Sequence, residues 1–330
     1  MSSSTSYGLG RVRRSSNGLG IPAVLEAAAL IATGQCHVVL VVGGSAGIYT
    51  DRASTAPWTR PTNEFVVGYG MFTAVEFALM AKRHMLTFGT TSEQLAIVAA
   101  TIRNNGHENP GAVYAGRGPF TPKDILASRP IAEPFHLMDC STTSEGAVRW
   151  FLLQQSGPPT FGGHRHGSWV GQATLMVPRI STVPHGTSVA EATEVRQATS
   201  VGGRLDSPSP PPGLSPSDVD VCELYDPFSF EIIRQLEAFG FCPEGEGGSF
   251  VEGGAIAPTG VLPVTTDGGT MSFAHPGNST QMLQRVIRAV EQVRGSCRSA
   301  QVAGAEVALC SNGGSGALFT DVMLIESERP

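Results

Sequence analysis

Hydrophobic positions near the start of the chain predict one helix and one strand. Residues 21–33 are apolar and rich in alanine, which favours a buried helix, and Gly34 follows as its expected end. Residues 38–42 are apolar at every position and lead into Gly43 and Gly44. A short run without polar positions is typical of a strand buried on both faces in a layered α/β protein.

The same order of elements returns near the end of the chain. Residues 279–293 carry apolar side chains at helical spacing and end before Gly295. Residues 306–310 then predict a short strand, again followed by a pair of glycines. This repeat indicates two related halves, which we place at residues 1–160 and 161–330.

The stretch between these regions is more polar and predicts several short elements. Residues 75–85 favour a helix, a capping box at Thr91 opens another helix through residue 102, and Pro122 begins a third. With its many turns this stretch could form a subdomain laid over the sheet. The remaining predicted elements are an exposed proline- and serine-rich linker over 207–216, a strand over 219–224 and a helix over 228–239.

Composition narrows the possible partners. The net charge of the 330 residues is -6 and there is no long basic run, which argues against nucleic acid as a partner. No apolar run is long enough to cross a membrane, and residues 1–17 lack the apolar segment of a secretory signal. We therefore expect a cytoplasmic protein. None of the six cysteines forms a CxxC pair, so buried free thiols are favoured over a zinc site.

The first segment that could carry chemistry lies at residues 223–228, where a predicted strand ends just before a helix. Ligands of open α/β sheets bind at such places, and the amides of the helix N-terminus attract negative charge. Tyr225 is the candidate residue here. The alternative is that Tyr225 is a packing residue and Asp226 a helix cap.

The second segment is residues 267–277, which contains His275. Its glycines, Gly269 among them, allow the backbone to approach a ligand closely. A histidine just ahead of a helix can titrate near neutral pH or donate a hydrogen bond. The alternative is a loop histidine without a role.

The third segment begins at Cys310, at the end of a predicted buried strand and ahead of Gly313 and Gly314. A cysteine there can act as a nucleophile or a proton carrier if its pKa is lowered. The alternative is an inert thiol in the core.

In their order and spacing these segments resemble the thiolase superfamily, and most closely its sterol-carrier-protein thiolase and lipid-transfer-protein branch. The resemblance covers nearly the whole chain from Asn17 onward. It rests on residues 109–110, 131–134, 144–147, 219–228, 236–242, 260–263 and 268–276.

The resemblance implies a layered αβαβα fold of two similar halves, with a loop subdomain at about residues 48–139. It also implies coenzyme A thioesters as substrates, no covalently bound cofactor and a dimer as the smallest assembly. The family makes or breaks carbon–carbon bonds with a nucleophilic cysteine, a histidine and a second, proton-transferring cysteine.

Carried onto this sequence, the family histidine corresponds to His275 and the proton-transferring cysteine to Cys310. The nucleophile's place falls at about Asn17, beside Gly18, and asparagine cannot form a thioester. Tyr225 stands where many thiolases carry histidine or asparagine, and Ala274 replaces the glycine before the histidine. The first strand and helices of the family precede residue 1, so we expect the first half to be incomplete at its N-terminus.

Three functions follow from this resemblance. The first is an acyl-CoA lyase of lipid or steroid side-chain metabolism, working by a retro-aldol or retro-Claisen reaction without an acyl-enzyme and paired with a small accessory protein of the OB fold. The second is a non-catalytic subunit that binds CoA esters, and the third an acetyl-CoA acyltransferase. We expect a homodimer through the sheet of the first half, or a complex with the accessory protein. The predicted catalytic residues are Tyr225, His275 and Cys310, and the predicted CoA-ester contacts are Asn17, Gly18, Gly269, Gly313 and Gly314.

Overall fold

The computed structural model describes residues 20–35, 37–45, 73–144, 146–153, 171–172, 215–276, 279–314 and 319–326. Its helices are α1 (Gly20–Ala32), α2 (Thr73–Phe88), α3 (Ser92–Glu108), α4 (Pro122–Ala127), α5 (Ser229–Ala238), α6 (Gly247–Phe250) and α7 (Ser279–Val293). Its strands are β1 (Val38–Ser45), β2 (Pro130–Ala132), β3 (Phe135–His136), β4 (Thr143–Ser144), β5 (Gly146–Leu153), β6 (Gly171–Gln172), β7 (Val221–Glu223), β8 (His275–Pro276), β9 (Val307–Gly314) and β10 (Phe319–Glu326).

Two sheets of three strands organise the described residues. The first has the order β1-β5-β6, with β1 antiparallel and β6 parallel to β5. The second has the order β10-β9-β7, with β10 antiparallel and β7 parallel to β9. Two short pairs, β2 with β3 and β4 with β8, lie outside these sheets.

Helices α1 and α7 pack between the two sheets. Both contact β1 and β5 on one side and β9 and β10 on the other, and α7 also contacts β7. Their buried apolar side chains share one cluster with alternate residues of the second sheet. This cluster includes Val24 of α1, Val286 of α7 and Met323 of β10. Helix α1, which is apolar over most of its surface, needs cover on several sides, and this position between two sheets supplies it.

The opposite face of the second sheet is covered by α3 and α5, with α2 packed against them. This larger cluster contains Leu95 and Ile102 of α3, Ile233 of α5, and Leu309 of β9. The described residues therefore stack as sheet, helices, sheet, helices. This agrees with the layered α/β fold that the sequence predicted.

Several predicted elements are confirmed within a few residues. Helix α7 has the predicted bounds, and Thr91 caps α3 through a capping box in which its hydroxyl accepts from the Gln94 amide at 3.2 Å. Helix α4 begins at Pro122, as predicted. Gly34, Gly240 and Gly295 follow their helices with positive φ angles, a conformation that glycine adopts readily.

Two of the predicted strands need correction. Strand β1 is not buried on both faces, because Val38, Leu40 and Val42 are 46%, 49% and 64% exposed. Strand β9 does not end at Cys310: pairing with β10 carries it through Gly314, where a turn was expected. Most of the predicted linker at 207–216 lies outside the described residues, and the division at residue 160 remains a prediction.

Among the described residues, no helix combines the length and the apolar character that crossing a membrane requires. The cytoplasmic location remains a prediction.

Candidate active site

Tyr225 lies just beyond the end of β7, and its backbone is fixed from two sides. Its N–H donates to the Ser311 hydroxyl at 3.2 Å, and its carbonyl accepts from the Gln235 side-chain amide at 2.7 Å. Ser311 in turn donates to Gln235 Oε1 at 2.5 Å. Strand β9 and helix α5 therefore hold the backbone of a tyrosine that is half-buried.

Cys310 is fully buried in the middle of β9, where it pairs with Glu223 of β7. Its thiol donates to the Met323 carbonyl at 3.4 Å. Burial, and next the carboxyl of Glu223, raise the pKa of this thiol, while the charge of Arg285 acts in the opposite direction. The condition set for a nucleophile, a lowered pKa, is thus not met. Cys310 is held as a thiol, the form that can deliver a proton.

His275 begins β8 and pairs with Thr143 of β4. Its backbone N–H donates to the Ser144 hydroxyl at 2.9 Å. Burial, followed by the charge of Arg285, lowers the pKa of His275 to about 3. Of the two possibilities given for this residue, the lowered pKa disfavours titration near neutral pH and favours hydrogen-bond donation. Its imidazole is neutral at physiological pH and can still donate one hydrogen bond.

The backbone just before His275 forms a π-helical turn, Gly269–Phe273, which Asp226 holds in place. The Asp226 carboxylate accepts from the amides of Thr270 and Met271 at 2.8 and 3.0 Å. A Cβ atom on Gly269 would lie 2.3 Å from Asp226 Oδ2, so this position requires glycine because the carboxylate fills the space. Asp226 is not a helix cap, since Phe228 occupies the N-cap position of α5.

Helix α3 supports the other side of this turn through Arg103. The Arg103 guanidinium is buried and donates to the carbonyls of Met138, Cys140 and Met271 at 2.8, 2.9 and 3.0 Å. It also lies over the ring of Tyr114, 4.6 Å from the centroid. Arg103 thus ties the loop region to the segment that carries His275.

A second buried arginine, Arg285 of α7, lies beside Tyr225. It donates to Asp226 Oδ1 at 2.6 Å and to the Leu224 carbonyl at 3.2 Å. Its guanidinium carbon lies 5.5 Å from the ring centroid of Tyr225. Arg285 therefore lies beside Tyr225, and its charge also lowers the pKa of His275 and opposes the rise in the pKa of Cys310.

Glu223 forms a separate buried network behind Cys310. It accepts from the Thr266 hydroxyl at 2.6 Å, and Arg288 Nε donates to the same hydroxyl at 2.9 Å. Burial, and next the charge of Asp267, raise the pKa of Glu223 to about 8 against the opposing effect of Arg288. This carboxyl is therefore mostly protonated at neutral pH.

The structure places the predicted site residues as follows. Tyr225 follows the end of β7, Cys310 lies on the neighbouring strand β9, and His275 lies at the start of β8. Gly313 and Gly314 are on β9, paired with Thr320 and Phe319 of β10. Asn17 and Gly18 lie outside the described residues. The roles assigned to these residues remain predictions.

Sequence reasoning missed Arg103 and Arg285. Both occupy helix positions at which an arginine is ordinarily assumed to face solvent. A signal for Arg285 was present: Arg285, Arg288 and Gln292 form a polar stripe at spacings of three and four on α7, and all three are buried. Both the apolar and the polar side of this helix are buried. Because buried polar groups need hydrogen-bond partners, the polar side must face other polar groups.

Comparisons with known proteins agree with this architecture. A family model described as thiolase C-terminal domain-like matches residues 210–327. The 17-hydroxy-3-oxo-4-pregnene-20-carboxyl-CoA lyase of Mycobacterium tuberculosis is 30% identical over 315 residues, which cover 90% of this chain and 76% of that protein. Sterol carrier protein 2 of Rattus norvegicus is 29% identical over 308 residues, which cover 90% of this chain and 55% of that protein.

A solved structure of similar fold carries the description Ltp2-ChsH2(DUF35) aldolase. It superposes with a TM-score of 0.68 at 28% sequence identity, over 94% of this chain and 78% of that one. This agreement in sequence and fold bears out the resemblance found in the motifs. The chain belongs to the thiolase superfamily, in the branch that contains the sterol carrier protein thiolases.

Proposed function

We propose that this chain is an acyl-CoA lyase that cleaves a carbon–carbon bond of a lipid or steroid side chain by a retro-aldol reaction. The carrying observation is that one buried cation, Arg285, lies 5.5 Å from the ring centroid of Tyr225, while its charge acts on the pKa of both His275 and Cys310. The names of two relatives, a steroid carboxyl-CoA lyase and an aldolase, support the same reaction class. The absence of cysteine from residues 1–35 favours a route without an acyl-enzyme.

The substrate is a thioester of coenzyme A with a hydroxyl on its β-carbon. Tyr225, in its phenolate form, accepts the proton of this hydroxyl. The electrons of the broken O–H bond form a carbonyl, and the Cα–Cβ bond breaks. Its electrons pass to the thioester, which becomes an enolate, and the other product is a ketone or an aldehyde.

His275 and Cys310 act on this enolate. The neutral imidazole of His275 donates a hydrogen bond to the enolate oxygen, and the thiol of Cys310 gives its proton to the α-carbon. The resulting thiolate regains a proton that Tyr225 took from the substrate, so both residues return to their starting forms. Because burial raises the pKa of Cys310, its thiolate takes this proton back readily.

The CoA thioester lies near the glycine-bearing segments in this proposal. Gly18 and Asn17 would lie beside the acyl group, and Gly269, Gly313 and Gly314 would line the approach. The proposed partner is a protein of the DUF35 type, since the description of the similar aldolase structure names one. In this proposal it takes the place of the small accessory protein expected from the sequence.

The proposal is tested with the purified chain, alone and mixed with a DUF35-type protein. Each sample is incubated with a β-hydroxyacyl-CoA and a β-ketoacyl-CoA of the same steroid side chain, and the products are separated and weighed by mass spectrometry. We expect the β-hydroxy compound to yield a shortened acyl-CoA and a free ketone or aldehyde. The Tyr225→Phe variant should lose this reaction and still bind the ester.

Other outcomes would favour the alternatives. Cleavage of the β-keto compound with an acyl adduct on a cysteine would identify an acetyl-CoA acyltransferase and overturn the retro-aldol route. Binding of both esters without turnover, with and without the partner, would identify a non-catalytic CoA-ester-binding subunit.

A further inference from the structure

Arg285 is a charged residue in a place where charge is costly. It is 1% exposed, and its ion-pair partner Asp226 is fully buried. A buried ion pair is often no more stable than apolar residues of the same size, so stability alone does not account for its presence. Its surroundings point to a different role.

The Arg285 guanidinium is held by two hydrogen bonds and lies over the ring of Tyr225. Asp226 Oδ1 at 2.6 Å and the Leu224 carbonyl at 3.2 Å fix its position. Asp226 in turn binds the amides of Thr270 and Met271, so the pair is tied to the turn that leads to His275. The cation contacts the ring of Tyr225, and its charge affects the pKa of the His275 imidazole and of the Cys310 thiol.

We propose that Arg285 is a positioning residue that supplies the fixed positive charge of the active site and holds the ring of Tyr225 beside it. This inference deepens the proposed function and rests on it. A permanent cation beside the ring favours the phenolate that accepts the substrate proton. It also opposes a second positive charge on His275, so the histidine remains a neutral donor while Arg285 balances the negative charge of the enolate.

Arg288, one turn further along α7, is a matched control. It is also buried, and its guanidinium donates to the hydroxyl and carbonyl of Thr266 at 2.9 and 3.3 Å. It faces the Glu223 network, and its charge is not among the causes that shift the pKa of His275. Loss of Arg288 should therefore disturb packing to a similar degree without changing the titration of His275.

The test compares Arg285→Gln, Arg285→Lys and Arg288→Gln with the wild type. Proton NMR follows the titration of His275 in histidine-labelled full-length protein, and a His275→Gln variant assigns its signal. We expect the pKa of His275 to rise in Arg285→Gln and to stay low in Arg285→Lys and Arg288→Gln. In the lyase assay kcat should fall at least about tenfold in Arg285→Gln, the equivalent of one pK unit of lost charge stabilisation, and recover in part in Arg285→Lys.

A folded Arg285→Gln variant with the wild-type kcat and an unchanged His275 titration would overturn the inference. Should Arg285→Gln fail to fold, the double variant Asp226→Asn/Arg285→Gln removes both charges together and is measured in the same two ways. The titration needs no substrate. A wild-type chain that cleaves no carbon–carbon bond of the CoA esters, with or without the DUF35-type protein, would therefore refute the proposed function, while the NMR result would still decide whether Arg285 sets the charge around His275.

Discussion

At the scale of single residues, the role proposed for His275 requires its imidazole to remain neutral. Its pKa is lowered to about 3, so between pH 5 and 8 both the wild type and a glutamine variant carry no charge at this position. We expect His275→Gln to reduce kcat by about 10²–10³-fold, the usual cost of removing one donor to a developing oxyanion. Because the histidine does not titrate in this range, the ratio of the two kcat/KM values should stay constant from pH 5 to 8.

This ratio is measured from pH profiles of both proteins with the same CoA ester. The expected pH dependence follows from the direction in which the pKa of His275 is shifted. A lowered pKa keeps the base form until the pH falls well below 5, so activity due to His275 is lost only in strong acid. A ratio that changes around pH 6–7 would mean that His275 titrates there, and would contradict its neutral role.

The ion pair of Asp226 and Arg285 makes a prediction about stability. Asp226→Asn removes the charge that balances a buried guanidinium. Removing one partner of a buried ion pair typically lowers the free energy of unfolding by about 3–5 kcal/mol. Burial raises the pKa of the Asp226 carboxyl, and the charge of Arg285 opposes this shift. Each charge of the pair therefore depends on the other. Urea denaturation at pH 7 measures the difference.

The control for Asp226→Asn is Glu133→Gln, which breaks an ion pair between exposed side chains, Glu133 and Lys82. Such a pair is screened by solvent, so its loss should change the unfolding midpoint very little. Equal effects of the two substitutions would show that burial does not strengthen the dependence of Arg285 on Asp226.

The sequence predicted the residues with chemical side chains but not the residues that place them. Tyr225, His275 and Cys310 stand out because each follows or precedes a recognisable strand, turn or helix. Asp226 and Arg285 are 59 positions apart, and their contact arises only from the packing of α7 against the end of β7. The polar stripe of α7 marks Arg285 as unusual, but no local pattern shows that its partner is Asp226.

At the scale of elements, the contact between α3 and the turn before His275 is closely fitted. A Cβ atom on Gly106 would lie 2.1 Å from the Ser272 hydroxyl and 2.5 Å from its Cβ. Gly106→Ala should therefore push the turn away from α3 at a steric cost of about 1–3 kcal/mol. This cost is offset in part by the roughly 1 kcal/mol by which alanine favours a helix over glycine.

We expect Gly106→Ala to lower kcat more than it lowers stability, because the displaced turn carries His275. Thr101→Ala on the same helix is the control, since it removes a partly buried hydroxyl bonded to the Ile97 carbonyl, away from the turn. Urea denaturation and the lyase assay are run on both variants. Full activity of Gly106→Ala would show that the turn tolerates displacement from α3.

Elements with a strong local signal were predicted well, whereas those that depend on pairing were not. Helix α7 shows helical periodicity over its whole length, and α3 carries its own capping box. Strand β9 continues through Gly313 and Gly314 because β10 pairs with it, which outweighs the tendency of two glycines to form a turn. Strand β10 itself was not predicted.

At the scale of the whole molecule, the outer side of β1 carries exposed apolar side chains that no described residue covers. Alternation along this strand turns Val39 and Val41 toward α1 and α7, while Val38, Leu40 and Val42 are 46–64% exposed. Apolar side chains in a row on a sheet are typical of a surface that another layer or another protein covers. The expected homodimer through this sheet would supply such a layer from a second copy.

Leu40→Ser tests this assembly. Its side chain lies on the exposed side of β1, so the substitution should leave the inner contacts of the strand and the fold intact while weakening association between copies. Light scattering at micromolar concentration should find the wild type as a dimer and Leu40→Ser shifted toward monomer, with unchanged circular dichroism. A wild-type chain that is a monodisperse, well-folded monomer would contradict the homodimer. A monomer that becomes dimer-sized only on addition of the DUF35-type protein would assign the assembly to that partner instead.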